Sequence, residues 1–232
     1  APVATPARAA DDGAGHSPSP ARQSTWPERW PGRLDHARSD EFDGEQPGPG
    51  WQWVRRPAGH VEDGRFVWPT QDADLHKETN TASVLLRDVP ERDFTVETKL
   101  SIDLGEVTER NYQQGGLVVY VDDDSYLRLS HAAIWNTRQT EYGKEQPYAG
   151  AIAYGSTSVG PPAATTWLRL RRTSDPRTGE ERFQAFTSRD GRKWIAGGTW
   201  TLPEGSRPRV GLVSMGGEGA TAEFDYFRLY RR

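Results

Sequence analysis

Two glutamates four residues apart, in Glu141-Tyr-Gly-Lys-Glu145, are the first residues here whose type and spacing suggest chemistry. On a β-strand, residues i and i+4 share a face, with Cα atoms about 13 Å apart. Paired carboxylates cleave glycosidic bonds when their carboxyl groups stand about 5–5.5 Å apart (retention) or about 6.5–9.5 Å apart (inversion). The residue midway between them is Gly143, and Lys144 neighbours the second acid, so the spacing reads better as coincidence than as a catalytic pair. A second chemistry uses His131 or Tyr142 as a base, with Arg138 neutralising a uronate, as a polysaccharide lyase requires. Nothing in the sequence fixes either geometry. The catalytic residues stay unassigned, with Glu141, Glu145 and His131 as the candidates if the chain is an enzyme at all.

Binding is the better reading of the same segment. Between Gln113 and Glu145, Leu117, Val119 and Val121 alternate and should face a core. Period-two geometry then sends Gln114, Val118 and Tyr120 to the opposite face. On the next run, Tyr126 and Arg128 face away from Leu127 and Leu129. Beyond it, His131, Trp135, Asn136, Arg138, Glu141 and Tyr142 crowd polar and aromatic groups into twelve residues. On a concave sheet these residues would make a groove. Trp135 or Tyr142 would stack on a sugar ring. Gln114, Asn136, Arg138 and Glu141 would bind its hydroxyls, the charged ones through stronger, charge-assisted bonds. The bland alternative is an edge strand with solvated charges and one buried tryptophan.

Those residues need strands to hold them, and the composition allows it. The chain has 232 residues, which suits one β-sandwich with extra terminal sequence. Net charge is -4, unlike the basic balance of a general nucleic-acid binder. No run approaches the roughly 18 apolar residues of a membrane span. There is no cysteine, which excludes a thiol nucleophile, a thiolate metal site and disulfides. No G-x-S-x-G elbow, nucleotide-binding glycine loop or H-E-x-x-H helix appears. Nine Trp and eight Tyr are enough to supply a core and still leave one or two rings for a binding face.

Residues 1–24 are rich in Ala, Pro, Gly and Ser, without apolar periodicity, and read as a disordered linker or mature N-terminus. They lack the basic start and apolar centre of an intact signal peptide. Residues 25–38 read as an extension. From residue 39 onward the pattern is short strands and turns. Phe94, Val96, Leu100 and Ile102 share one face of a strand, with Glu97, Lys99 and Ser101 on the other. Leu168 and Leu170 alternate in the same way. Asp63-Gly64 and Asp190-Gly191 are hairpin signals, and Asp122-Asp123-Asp124 joins two further runs. With 24 Gly and 17 Pro, no long helix survives. The fold class is all-β: a two-sheet antiparallel jelly roll or sandwich over 39–232.

The order of motifs carries a resemblance. Ser39-Asp-Glu-Phe-Asp-Gly44, Trp51-Gln-Trp-Val-Arg55 and Asn80-Thr-Ala-Ser-Val-Leu-Leu-Arg87 come first. Asp93-Phe-Thr-Val-Glu-Thr-Lys99 and Gln113-Gln-Gly-Gly-Leu-Val-Val-Tyr120 follow. Ser188-Arg-Asp-Gly-Arg-Lys-Trp194, Val210-Gly-Leu212 and Phe224-Asp-Tyr-Phe-Arg228 close the series. Together they resemble the concanavalin A-like C-terminal domain of family 43 glycoside hydrolases, the β-xylosidase and arabinofuranosidase group. The resemblance implies a concanavalin A-like β-sandwich appended to a catalytic propeller, for which this sequence leaves no room. It implies a carbohydrate-binding or accessory role toward a xylan- or arabinan-type glycan, with a poly- or oligosaccharide and a glycoside hydrolase catalytic domain as partners. A structural domain that packs on such a catalytic partner is the alternative. Glucanases of this fold use Glu-x-Asp-x-Glu, and Gly143 stands where the central acid would be. The resemblance also implies a structural Ca²⁺ where the first and last strands meet, with Glu41 or Asp43 and Asp225 as ligands. Asp122–Asp124 is a rival site that lacks the EF-hand glycine and distal glutamate. A secreted, extracellular monomer is the expected setting.

Overall fold

The computed structural model describes residues 31–105, 110–135 and 137–232. The expected linker (1–24), residues 25–30 of the extension and Asn136 lie outside these residues. Strands β1 (Arg33–Leu34), β2 (Trp51–Val54), β3 (His60–Glu62), β4 (Arg65–Pro69), β5 (Leu75–His76), β6 (Thr79–Asn80) and β7 (Val84–Arg87) come first. The long strands follow: β8 (Phe94–Ile102), β9 (Gln114–Asp122), β10 (Ser125–Ile134), β11 (Thr137–Tyr148) and β12 (Ala151–Ser158). The series ends with β13 (Thr165–Ser174), β14 (Glu181–Ser188), β15 (Trp194–Leu202), β16 (Arg209–Met215) and β17 (Thr221–Arg231).

The first sheet has the order β15-β14-β13-β8-β17-β4-β3, with β1 also paired to β17. The second has the order β12-β11-β10-β9-β16-β7-β2, and β5-β6 forms a separate small hairpin. All of these pairings are antiparallel. This is the expected sandwich.

Turn chemistry sets the registers. Asp63 and Gly64 both have positive φ (50° and 71°), the backbone that a tight β3–β4 hairpin needs. In the β14–β15 turn, Asp190 Oδ1 accepts hydrogen bonds from the Arg192 and Lys193 amides, each 2.8 Å. The acids at 122–124 cap the β9–β10 turn. Arg55 pairs with Asp123 at 2.9 Å, and the Tyr120 hydroxyl donates to the same carboxylate at 2.9 Å.

The alternation read in the sequence becomes the core between the sheets. Phe94, Val96, Leu100 and Ile102 meet Leu117, Val119, Leu127, Leu129, Leu168 and Leu170 there. Each fully buried side chain of this kind is worth about 1.5–3 kcal/mol. A second apolar cluster lies on the other face of the second sheet. Val84, Leu86, Val118, Tyr120, Tyr126, Val213 and Met215 are covered there by Leu75. That cover leaves only part of this face accessible.

Candidate functional site

The accessible part is a cavity of about 450 Å³. Its floor comes from neighbouring strands of the second sheet: Gln114 from β9, Arg128 and Ile134 from β10, and Glu141 from β11. Tyr154 and Ser156 of β12 form the outer side. Asp74 and His76 stand on the β5 side, and Tyr112 closes the remaining end.

Arg128 is the centre of the floor and is 4% exposed. Its NH1 donates to the Leu75 carbonyl at 2.9 Å and its NH2 to the Tyr154 hydroxyl at 3.2 Å. The Tyr154 hydroxyl in turn donates to Glu141 Oε1 in a very short bond. A guanidinium, a phenol and a carboxylate thus form one chain along the cavity. Burial, reinforced by Glu141, holds the Tyr154 hydroxyl protonated well above its usual range. Arg128 Nε is buried and has no hydrogen-bond acceptor among the described residues. A buried donor left so costs about 1–3 kcal/mol.

Gly143 makes this arrangement possible. It lies opposite Arg128 on β10 and opposite Ser156 on β12. A β carbon on residue 143 would overlap the Tyr154 hydroxyl. The β5–β6 hairpin is fastened beside it. The Glu145 carboxylate accepts the Lys77 amide at 2.9 and 3.0 Å. The Tyr126 hydroxyl lies 2.6 Å from the Leu75 carbonyl and 3.0 Å from Glu145, and donates to one of them at a time.

Two exposed aromatics stand at the Tyr112 end. Trp135 is 68% exposed and Tyr112 48%. Their rings meet edge to face at 6.1 Å, and both residues have positive φ (48° and 70°). The Trp135 amide is tied to Asn111 Oδ1 at 2.6 Å. Strained backbone of this kind persists where surrounding structure holds it, and it clusters at binding sites.

A family whose description is "Beta xylosidase C-terminal Concanavalin A-like domain" matches residues 39–230. The chain belongs to this family. No curated protein matches it. Among solved structures, the GH43 protein BlXynB from Bacillus licheniformis is 20% identical with a TM-score of 0.65, covering 85% of this chain and 40% of that one. The Bacteroides ovatus xyloglucan PUL GH43B is 17% identical with a TM-score of 0.64, covering 84% of this chain and 39% of that one. The CBM2 module of the evolved Dit of Lactobacillus casei BL23 phage J-1 is 9% identical with a TM-score of 0.51, covering 85% and 96%. At such identities the likeness is one of fold. The chain spans about 40% of the length of the two GH43 proteins.

In this β-xylosidase-type domain the expected site residues part company. Gln114, Arg128 and Glu141 line the cavity, and Trp135 stands exposed near it. Tyr142 does not: it is fully buried in the core between the sheets, with its hydroxyl donating to the Phe183 carbonyl at 2.7 Å. Residues 141 and 142 are neighbours on one strand, so they point to opposite faces. The same parity takes His131 and Arg138 away from the cavity, since they lie beside Ser130 and Thr137 rather than in phase with Arg128. His131 is buried, 3.1 Å from the Thr140 hydroxyl. Burial, then the Arg138 charge, depress its pKa to about 4. Tyr120 and Tyr126 lie on the cavity's sheet face but are buried beneath the β5–β6 hairpin. Glu145 is fully buried and holds that hairpin, so Glu141 and Glu145 do not face each other across an open site.

Of the three acids expected to hold calcium, two are engaged in ion pairs. Glu41 grips Arg228 in a two-point pair at 2.7 and 2.8 Å. Asp225 pairs with Lys99 at 2.7 Å, and Asp43 is exposed. No group of three His, Asp or Glu suited to a metal occurs among the described residues. The segments around residues 40 and 227 are joined by the Asp40–Phe227 backbone bridge and the Glu41–Arg228 pair.

Tyr112, Asp74, His76, Tyr154 and Ser156 were not singled out by the sequence reading. One signal for Tyr154 and Ser156 was present. Ala149 and Gly150 both take positive φ (52° and 80°) and turn β11 into β12, placing these two residues in register with Glu145 and Gly143.

Proposed function

We propose that this domain is a carbohydrate-binding accessory module of a glycoside hydrolase system, and that its cavity holds a xylan- or arabinan-type glycan. The observation that carries this reading is the Arg128–Tyr154–Glu141 chain, buried in a cavity whose margin bears exposed Tyr112 and Trp135. The polar chain offers a cationic donor and an anionic acceptor within one ligand's reach, which suits adjacent sugar hydroxyls. The aromatic pair offers faces for the apolar side of a ring, and cavities of this size hold small organic ligands. The GH43 relatives are longer chains, so a glycoside hydrolase catalytic domain is the protein partner we propose. A polymeric glycan is met outside the cell, and an extracellular setting goes with this reading.

Affinity electrophoresis on soluble xylan, arabinan, glucan and levan tests the proposal, with reducing-sugar release assayed in parallel. Retardation by xylan or arabinan without release is expected. Ser156→Trp should abolish it, because this exposed edge-strand residue can fill the cavity without touching the core. Sugar release that is lost in Glu141→Ala would make the cavity catalytic instead. No retardation by any glycan would leave a domain that only packs on its partner.

A further inference from the structure

We infer that the cavity takes a terminal sugar unit, a chain end or a single-unit branch, and not the interior of a glycan chain. This rests on the carbohydrate reading above.

The inference comes from following the floor across the strands. One row runs Ser156, Gly143, Arg128, Val118, Gly211 from the edge strand β12 inward to β16. The row beside it runs Ser158, Glu141, Ser130, Gly116, Val213. Both begin polar and exposed at the edge, and inward they reach Val118 and Val213, fully buried in one apolar cluster with Leu75. The polar floor therefore stops midway across the sheet. A glycan lying across the strands would have to pass through whatever covers those valines.

That cover is firmly attached. The Gly217 amide donates to the Gln71 carbonyl at 2.7 Å, and the Gly216 amide to the Ala73 carbonyl at 2.9 Å. Gln71 Nε2 donates to the Ser214 carbonyl at 2.7 Å. Further along, Arg128 holds the Leu75 carbonyl and Glu145 holds the Lys77 amide. Segment 71–77 is thus bonded to β16, β10 and β11 at once, with Leu75 inserted among buried apolar side chains. Breaking several such bonds, at about 0.5–1.5 kcal/mol each, and exposing Leu75 exceeds what one more weakly held sugar unit returns.

Along the strands the cavity is bounded by His76 at one end and by Tyr112 and Ile134 at the other. On the β12 side Tyr154 lies over Gly143, and the way in is beside it, where Ser156 and Ser158 are exposed. A site walled on three sides admits an end.

The test uses the full chain and calorimetric titration with linear xylo- and arabino-oligosaccharides of two to six units. Binding capacity on soluble xylan and arabinan is measured before and after limited endo-hydrolysis. Affinity should change by less than about threefold from disaccharide to hexasaccharide, since added units lie outside the cavity. Polymer capacity should rise with the number of ends created, at constant mass. An affinity that climbs more than about tenfold with length, or a capacity unchanged by fragmentation, would overturn the inference while leaving carbohydrate binding intact. Failure of every glycan to bind would remove both readings together.

Discussion

Gly143 and Tyr154 fit together only because residue 143 has no side chain: a β carbon there would occupy the position of the Tyr154 hydroxyl. The glycine in Glu141-Tyr-Gly-Lys-Glu145, an interruption in a would-be acid pair when read in sequence, is what lets the phenol reach between Arg128 and Glu141. Gly143→Ala should push Tyr154 outward and break that chain. The expected loss is about tenfold or more in glycan affinity, with an overpacking cost of about 1–3 kcal/mol in urea unfolding. Unchanged affinity would detach Tyr154 from the binding function.

Trp135 separates binding from stability. At 68% exposure it contributes little to the fold. Trp135→Ala should leave the unfolding free energy within about 0.5 kcal/mol, while stacking lost from the margin weakens glycan binding by about fivefold to tenfold. Titration calorimetry and denaturant unfolding on the same samples check both halves.

Glu145→Gln tests the hairpin latch. The carboxylate receives the Lys77 amide and faces the Tyr126 hydroxyl, so an amide nitrogen in its place sets donor against donor. A loss of about 1.5–3 kcal/mol is expected for charged hydrogen bonds of this kind. Amide exchange should accelerate over 75–80 before it does in β8. Uniform acceleration would mean that the hairpin is not a separate unit.

Parts of this architecture were legible in the sequence for a definite reason. Strands β8, β10 and β13 bury one face against the opposite sheet, so Val96, Leu127 and Leu168 alternate with partners that do not. Strand β12 buries neither face, and its Ala, Gly and Ser residues leave no pattern. Strands β5 and β6 have two residues each, too short to show a period. The covering of Tyr120 and Tyr126 comes from a segment some fifty residues away, and no local rule reports that. Tyr142 fell on the wrong face because a segment dense in polar and aromatic groups does not reveal its phase until the hairpin register is known.

His131 gives a pH dependence with a defined sign. Its folded-state pKa of about 4 lies below the usual 6.5, chiefly through burial. Above pH 6.5 both folded and unfolded forms are neutral there. As pH falls from 6.5 toward 4, only the unfolded chain takes up the proton, so stability declines through that window and levels off below it. The full contribution is about 3 kcal/mol. Urea unfolding from pH 7 to pH 4 should show this slope, and His131→Asn should flatten it.

Glu41 pairs with Arg228 where calcium is expected, and we predict that this pair suffices and a chelator leaves the melting temperature unchanged. Glu41→Ala should cost no more than about 1 kcal/mol, because both side chains are well exposed (45% and 33%). A melting temperature lowered by chelator would return calcium to these acids.

The position of β17 bears on how the protein is made. It lies between β8 and β4 in the first sheet, yet it is the last strand in sequence. Without β17, β3 and β4 on one side and β8, β13, β14 and β15 on the other share no strand pairing. Their inner edges are joined only through Thr221–Arg231. The sheet is therefore completed only by its last strand, and any part of it that formed earlier would carry an unpaired inner edge.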